Sequence, residues 1–194
     1  MNRREQILHA TALLIAQDGV AALTTKRIAA QAGCAEGTIF RHFGDKGGLI
    51  AAVLSFGLPE IAELSHLTAA APQGDLRSGL LQLSSAVMAY YQASSPIAAA
   101  ALSDRAMFER YSAAHRAGHT GPKQIWNLAR DFLEAHRAAG HIGDGADLEI
   151  QAISLVGACQ NAVWVRLVNG ADSLPHGEQF LEKLVDAHMA ALAA

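Results

Sequence analysis

Residues 23–46 read LTTKRIAAQAGCAEGTIFRHFGDK, and this stretch decides the fold. A Thr hydroxyl at position 24 or 25 can accept an N–H that the first turn of a helix leaves without a partner. Positions 26–32 are Ala-rich and form helix readily. Gly33 stops that helix, because the left-handed residue after a helix is easiest without a Cβ. A second helix, over about residues 35–43, starts almost at once. So short a Gly-containing turn between two helices predicts a helix-turn-helix, whose second helix enters the major groove of DNA. Any small helical hairpin shares that geometry, so the residues themselves must carry the DNA reading.

They do so in the tail, Gly37-Thr38-Ile39-Phe40-Arg41-His42-Phe43 followed by Asp45-Lys46. The block resembles the DNA-binding signature of the TetR family of bacterial transcriptional regulators. Thr25, Ile28, Ala29, Ala32, Gly33, Gly37, Thr38, Ile39, Phe40, His42, Phe43, Lys46 and Leu49 all match at the family's spacing. The resemblance is specific over residues 7–50 and rests on helix number and length beyond them. It implies an all-α chain of about nine helices. Residues 1–48 would form a three-helix helix-turn-helix domain for DNA, and residues 49–194 a helical effector-binding and dimerisation domain.

The resemblance also implies roles at matching positions. Thr25 and Lys26 resemble residues that touch phosphate and base edges. Glu36, Gly37 and Thr38 occupy the end of the recognition helix that projects into the groove. Glu36 can accept from a cytosine amino group, or can simply be a solvated carboxylate favoured by the helix dipole. Gly37 permits close approach. Phe40 stands where Tyr is common and lacks the hydroxyl that reaches phosphate. Arg41 and His42 are placed for phosphate or bases, and Lys46 resembles the family's phosphate-contacting lysine. Arg3 and Arg4 are further candidates for the DNA backbone. Ala35 departs from the family, which usually supplies a Ser or Thr cap there. Its absence costs roughly 1 kcal/mol of local helix stability, so the start of the recognition helix is expected to fray.

Outward from this block, residues 3–17 form a first helix, with Ile7, Ala10, Thr11 and Leu14 on one face and Gly19 after its end. Ile28, Ile39 and Phe43 are its expected core partners. Asp45 caps the helix that follows the motif. Gly47 and Gly48 in its first turn each sacrifice up to about 1 kcal/mol relative to Ala, which predicts a soft joint between the DNA head and the rest. Pro59 kinks that helix or starts a new one. Asp75 caps the next, which is expected to end near residues 93–95, with Pro96 opening another. Pro122 opens a helix reaching His136. Asp147 caps a helix to about Asn169 that is apolar almost all round and therefore needs covering on several sides. A last helix is expected over about residues 175–192.

Composition bounds the rest. The chain has 194 residues, 51% hydrophobic and 17% charged, with 17 Gly and 5 Pro, so it can bury a core and is not compositionally disordered. No apolar run approaches the ~18 residues of a membrane span, and the first residues lack a signal peptide's apolar segment. A cytoplasmic, membrane-free protein is expected. Cys34 and Cys159 have neither metal-site nor redox-motif spacing, and packing is the reading for both. The net charge of −3 is uneven. Residues 1–50 hold six Lys or Arg against four Asp or Glu, and the remainder is acidic, so a mildly basic head faces DNA. That small excess suits two heads in a dimer.

The family resemblance implies a homodimer through the last two helices, a double-stranded operator and a small-molecule effector that lowers operator affinity. Met88, Tyr91, Phe108, Trp126, Gln160, Asn161 and Trp164 are the candidate effector contacts, an apolar set with a few polar handles. Gln160 and Asn161 stand out, because amides inside an apolar helix need partners. Tyr90, Tyr111, Arg130 and Arg166 are weaker candidates. No phosphate loop, glycine-flanked serine or zinc-protease motif is present, so no catalytic residue, metal or cofactor is assigned. The competing class is a helical small-molecule-binding protein or enzyme with a vestigial helix-turn-helix. Its best support is His115 and His119, four apart, with Glu109 or Asp104 as further metal ligands.

Overall fold

The computed structural model describes residues 1–103, 105–118 and 121–193, and among them every regular element is helical. Asp104 and His119, two members of the candidate metal set, lie outside the described residues. Within the described residues no group of three or more His, Cys, Asp or Glu is placed to hold a metal ion. Among the described residues no single helix is long and apolar enough to cross a membrane.

The helices are α1 (Arg3–Asp18), α2 (Thr25–Gln31), α3 (Glu36–Phe43), α4 (Lys46–Ala52), α5 (Pro59–Ala70), α6 (Leu76–Leu102), α7 (Arg105–Gly118), α8 (Pro122–Ala138), α9 (Leu148–Asn169) and α10 (Phe180–Leu192). A π-helical turn, Val53–Gly57, joins α4 to α5. With α4, that turn and α5 taken as one interrupted helix, nine helices lie among the described residues, as expected. The interruption has a local cause. Pro59 has no N–H to return to the preceding turn and disfavours a helical residue before it. The turn widens and Leu58 becomes extended, at φ −87° and ψ 134°.

The chain divides into two compact units, Met1–Ile61 with Ala93–Gly121, and Ala62–Gln92 with Pro122–Ala194. In the first, α1 packs on α2 and on the π-helical turn, α2 on α3, α3 on α4, and α4 on α7. Ile7, Leu14, Ile28, Ile39, Leu49 and Ile50 are buried there; Ile7, Leu14, Ile28 and Ile39 are those expected from the sequence, whereas Phe43, also expected in the core, is half-buried. In the second unit α9 packs on α8 and α10. Leu80, Leu83, Leu133, Leu155, Val156 and Val185 are among its buried side chains. Cys159 is fully buried beside Ser84, and burial pushes its thiol pKa up to about 12. Such a thiol is inert as a nucleophile at neutral pH.

Three expectations change. The helix from Asp75 does not end before Pro96. It runs on to Leu102 with Pro96 inside it. Pro96 breaks one backbone bond, but the following Ala-rich segment favours helix, and Ser94, Ile97 and Ala101 are buried around it. The break falls instead at Ser103, whose hydroxyl donates to the Ala100 carbonyl at 2.8 Å. The last helix begins at Phe180, not near Pro175, because His176 and Gly177 both have left-handed φ, at 65° and 54°. The double glycine is the third case. A Cβ on Gly47 would stand 2.7 Å from Arg110 Cβ, and one on Gly48 would stand 2.2 Å from the Phe43 carbonyl oxygen. These residues are glycine because backbone and neighbours approach too closely for any side chain. The joint they make is tight, not soft.

Buried and half-buried imidazoles set a pH dependence. Burial holds His115, His136 and His188 below the ordinary histidine pKa. At His136 the adjacent His141, with its Nδ1 3.0 Å from His136 Nδ1, adds to the effect. A depressed pKa in the folded chain means the unfolded chain binds the proton first. The contribution is therefore complete above about pH 6.5 and is lost as pH falls through the lower folded values. Thermal midpoints are expected to fall between pH 7 and pH 5, and to fall less in His136→Gln. A midpoint that stays flat across that window would contradict the assignment.

Candidate nucleic-acid interface

The interface is built on α2, α3 and the first turn of α4. Thr24 caps α2, its hydroxyl oxygen accepting from the Arg27 N–H. Gly33, at φ 61°, turns the chain so that α3 begins three residues later. Ala35 makes no side-chain cap, as its methyl dictates. A different contact secures this end of α3: the Thr25 hydroxyl donates to the Glu36 carboxylate. Two candidate DNA residues thus hold each other across the turn, and the carboxylate in the first turn of α3 is favourable to its dipole. At the other end, the Asp45 carboxylate accepts from the Gly48 N–H at 2.9 Å and caps α4.

Ile39 faces the core while Glu36, Gly37, Phe40, Arg41 and His42 are exposed, and Thr38 is half-buried. A Cβ at Gly37 would meet nothing, so this part of α3 presents a flat, open surface. Phe40 is 46% exposed, an aromatic ring with no core to fill. Lys26 on α2 and Arg41 on α3 are exposed and carry no hydrogen bond or ion pair among the described residues. Their neighbours differ. Arg27 pairs with Asp18 and donates to the Ala22 carbonyl. Lys46 is half-buried and gives one N–H to the Leu23 carbonyl at 2.9 Å. An ammonium has three donors, so Lys46 can tie the loop before α2 and still reach a phosphate.

The N-terminal arginines serve the fold more than the sequence suggests. Arg3 donates to the Ala32 and Gly33 carbonyls at the end of α2. Arg4 lies over the rings of Phe43 and Phe56, 5.6 and 5.0 Å from their centroids. Asn2 and Glu5 form a reciprocal capping box in front of α1. Its signal, an Asn followed three residues later by Glu, stands in the sequence.

The candidate effector residues have different settings within their own units. Met88 and Tyr91 are buried in the second unit, where Tyr91 meets Tyr90 edge-on with centroids 5.2 Å apart. Trp126 lines a small cleft with Arg130 and Glu149. Phe108 belongs to the first unit and is exposed. Gln160, Asn161 and Trp164 are also exposed, so the amides are not enclosed in apolar surroundings. One face of α9, with Leu148, Ala152, Leu155, Val156, Cys159, Ala162 and Val163, is buried. Its other face carries Ile150, Gly157, Asn161, Trp164 and Val168 in the open.

Residues 7–53 match the model of the family described as bacterial regulatory proteins, tetR family. The chain is 30% identical over 147 residues to the uncharacterized HTH-type transcriptional regulator YvkB of Bacillus subtilis (strain 168), across 75% of this chain and 73% of that protein. It is 29% identical over 159 residues to the HTH-type transcriptional regulator BetI of Paraburkholderia xenovorans (strain LB400), across 80% of this chain and 82% of that protein. The solved structure of the TetR family transcription regulator SCO0332 aligns over 100% of both chains at 23% identity with a TM-score of 0.69, a likeness of fold.

Proposed function

The chain belongs to the TetR family of bacterial transcriptional regulators, and from that premise we propose that it is a homodimeric repressor whose two heads hold the half-sites of a palindromic operator until a small molecule binds. Residues 1–48 read DNA in this proposal, and residues 49–194 sense the effector and dimerise. The compact units divide the chain differently, so parts of the sensing region fold together with the reading head. The observation that carries the DNA assignment is the pair of exposed cations, Lys26 and Arg41, which have no partner among the described residues and stand on either side of the turn, with exposed Phe40 between them in the sequence. Thr25, Glu36, Gly37, Thr38, His42 and Lys46 complete the reading surface. Effector binding shifts the population between a DNA-competent state and a released one, and it acts only through unequal affinity for the two.

Dimerisation is assigned to α9 and α10. Ile150, Gly157, Asn161, Trp164 and Val168 recur at helical spacing on the uncovered face of α9, with Trp164 57% and Val168 66% exposed. Gly157 leaves room for a second helix to approach. A face so apolar on a solvent-facing helix calls for a partner. Gln160, Asn161 and Trp164 are therefore assigned to this interface and not to the effector.

The test is selection of genomic fragments by the purified protein, followed by electrophoretic retardation. Wild type is expected to select an inverted repeat and to bind it with strong salt dependence. Trp164→Glu combined with Val168→Glu is expected to sediment as a monomer and to lose the operator complex. Retention of no genomic fragment would overturn the regulator reading. A dimer that survives both substitutions would overturn the interface.

A further inference from the structure

A cavity of about 670 Å³ opens within the first unit. Its walls are α1, the chain leading into α5, and the part of α6 around Pro96, and its volume lies in the range of small-molecule sites. Leu13, Ile15, Val20, Leu58 and Ile97 make it apolar. Glu60 is the exception. Its Oε2 is shut away from solvent and accepts no hydrogen bond among the described residues. No Lys or Arg is among the described residues lining the cavity, and the other side chain there that can be charged is His9, which is exposed. A carboxylate on an apolar wall with one oxygen shut from solvent and left without a donor is unfavourable unless a positive group meets it.

We propose that this cavity is a binding site for a lipophilic ammonium ion, with the N–H groups donating to Glu60 and the hydrocarbon body lying along α1 and α6. None of the effector candidates read from the sequence lines it. Its wall includes Gly57, Leu58, Pro59 and Glu60, the residues at and just after the π-helical turn. That turn continues α4, which Asp45 and Gly48 lock to the end of α3. Occupation therefore acts on the joint that sets the recognition helix. This last step rests on the repressor reading above. The binding site itself does not.

The probes are 8-phenyloctylamine, 8-phenyloctanol and 8-phenyloctanoate, alike in shape and different in charge, titrated calorimetrically into the full chain. The amine is expected to bind at least about tenfold more tightly than the alcohol, since a desolvated charge pair is worth that much or more, and the carboxylate is expected not to bind. Glu60→Gln is expected to erase the preference for amine over alcohol while leaving the alcohol's affinity unchanged. Ala12→Phe, which fills the cavity, is expected to weaken amine and alcohol together. If Glu60→Gln does not fold, the wild-type ratio and Ala12→Phe decide. Equal affinity for amine and alcohol in wild type, a preference that survives Glu60→Gln, or full amine binding by Ala12→Phe would each overturn the site. Retardation of the selected operator fragment, without and with the amine, separates the two readings. A chain that binds the amine through Glu60 but retards no DNA overturns the repressor reading and leaves the site standing. A chain that retards DNA and ignores the amine overturns the site alone. Amine binding without operator release overturns the coupling.

Discussion

Gly48→Ala is expected to destabilise the protein and to weaken its operator complex, although in an isolated helix the same change is favourable. The propensity gain is at most about 1 kcal/mol. Against it stands a Cβ only 2.2 Å from the Phe43 carbonyl oxygen. That oxygen is backbone at the last residue of α3, so it cannot swing aside as a side chain would. Relief requires α3 and α4 to part, which strains the Asp45 cap on α4 as well. Overpacking of this kind typically costs about 1–3 kcal/mol and sometimes more, so the net change is a loss. Displacing the end of α3 also moves Arg41 and His42 relative to α2. Denaturation of the variant and retardation of the selected operator measure both effects. A variant as stable as wild type, with unchanged operator affinity, would show that the joint yields after all.

The largest effect on DNA is expected from Lys26→Ala combined with Arg41→Ala. Both side chains are exposed and without partners among the described residues, so their removal is expected to leave the fold and its thermal midpoint unchanged. A dimer loses four cations from its two heads. Each phosphate contact contributes about 0.9 to the slope of log affinity against log salt. Operator affinity is expected to fall at least about 100-fold at physiological salt, with a shallower salt slope, as for lost phosphate or base contacts. Arg27→Ala provides the contrast. Its guanidinium is committed to Asp18 and the Ala22 carbonyl, so stability falls more than DNA affinity does. Wild-type affinity and an unchanged salt slope in the double variant would remove Lys26 and Arg41 from the interface.

Local chemistry was legible in the sequence. Thr24, Asp45, Asp75 and Asp147 cap helices where they stand, because a short oxygen-bearing side chain acts within three residues of itself. Gly33 and Pro122 mark boundaries for equally local reasons, one through its left-handed φ and the other through its missing N–H. The absent cap at Ala35 was legible too. Its substitute was not, because Thr25 and Glu36 meet only once the turn has folded. Pro96 misled for the opposite reason: its local rule is real, but buried neighbours on the same helix outweigh it.

The sequence by itself determined an all-helical chain, the place of the helix-turn-helix and the family, since these follow from spacing along a few turns of backbone. Only the tertiary structure decided what the double glycine is for, because Arg110 lies over sixty positions away and no local rule brings it to Gly47. Which face of α9 is covered was likewise undecidable from a helix apolar on nearly every side, and Gln160 and Asn161 turned out to face solvent. Glu60 reads in sequence as an ordinary acidic residue in the first turn of a helix. Its meaning arises when α1 and α6 bring it to the wall of an apolar cavity with one of its oxygens shut off from solvent.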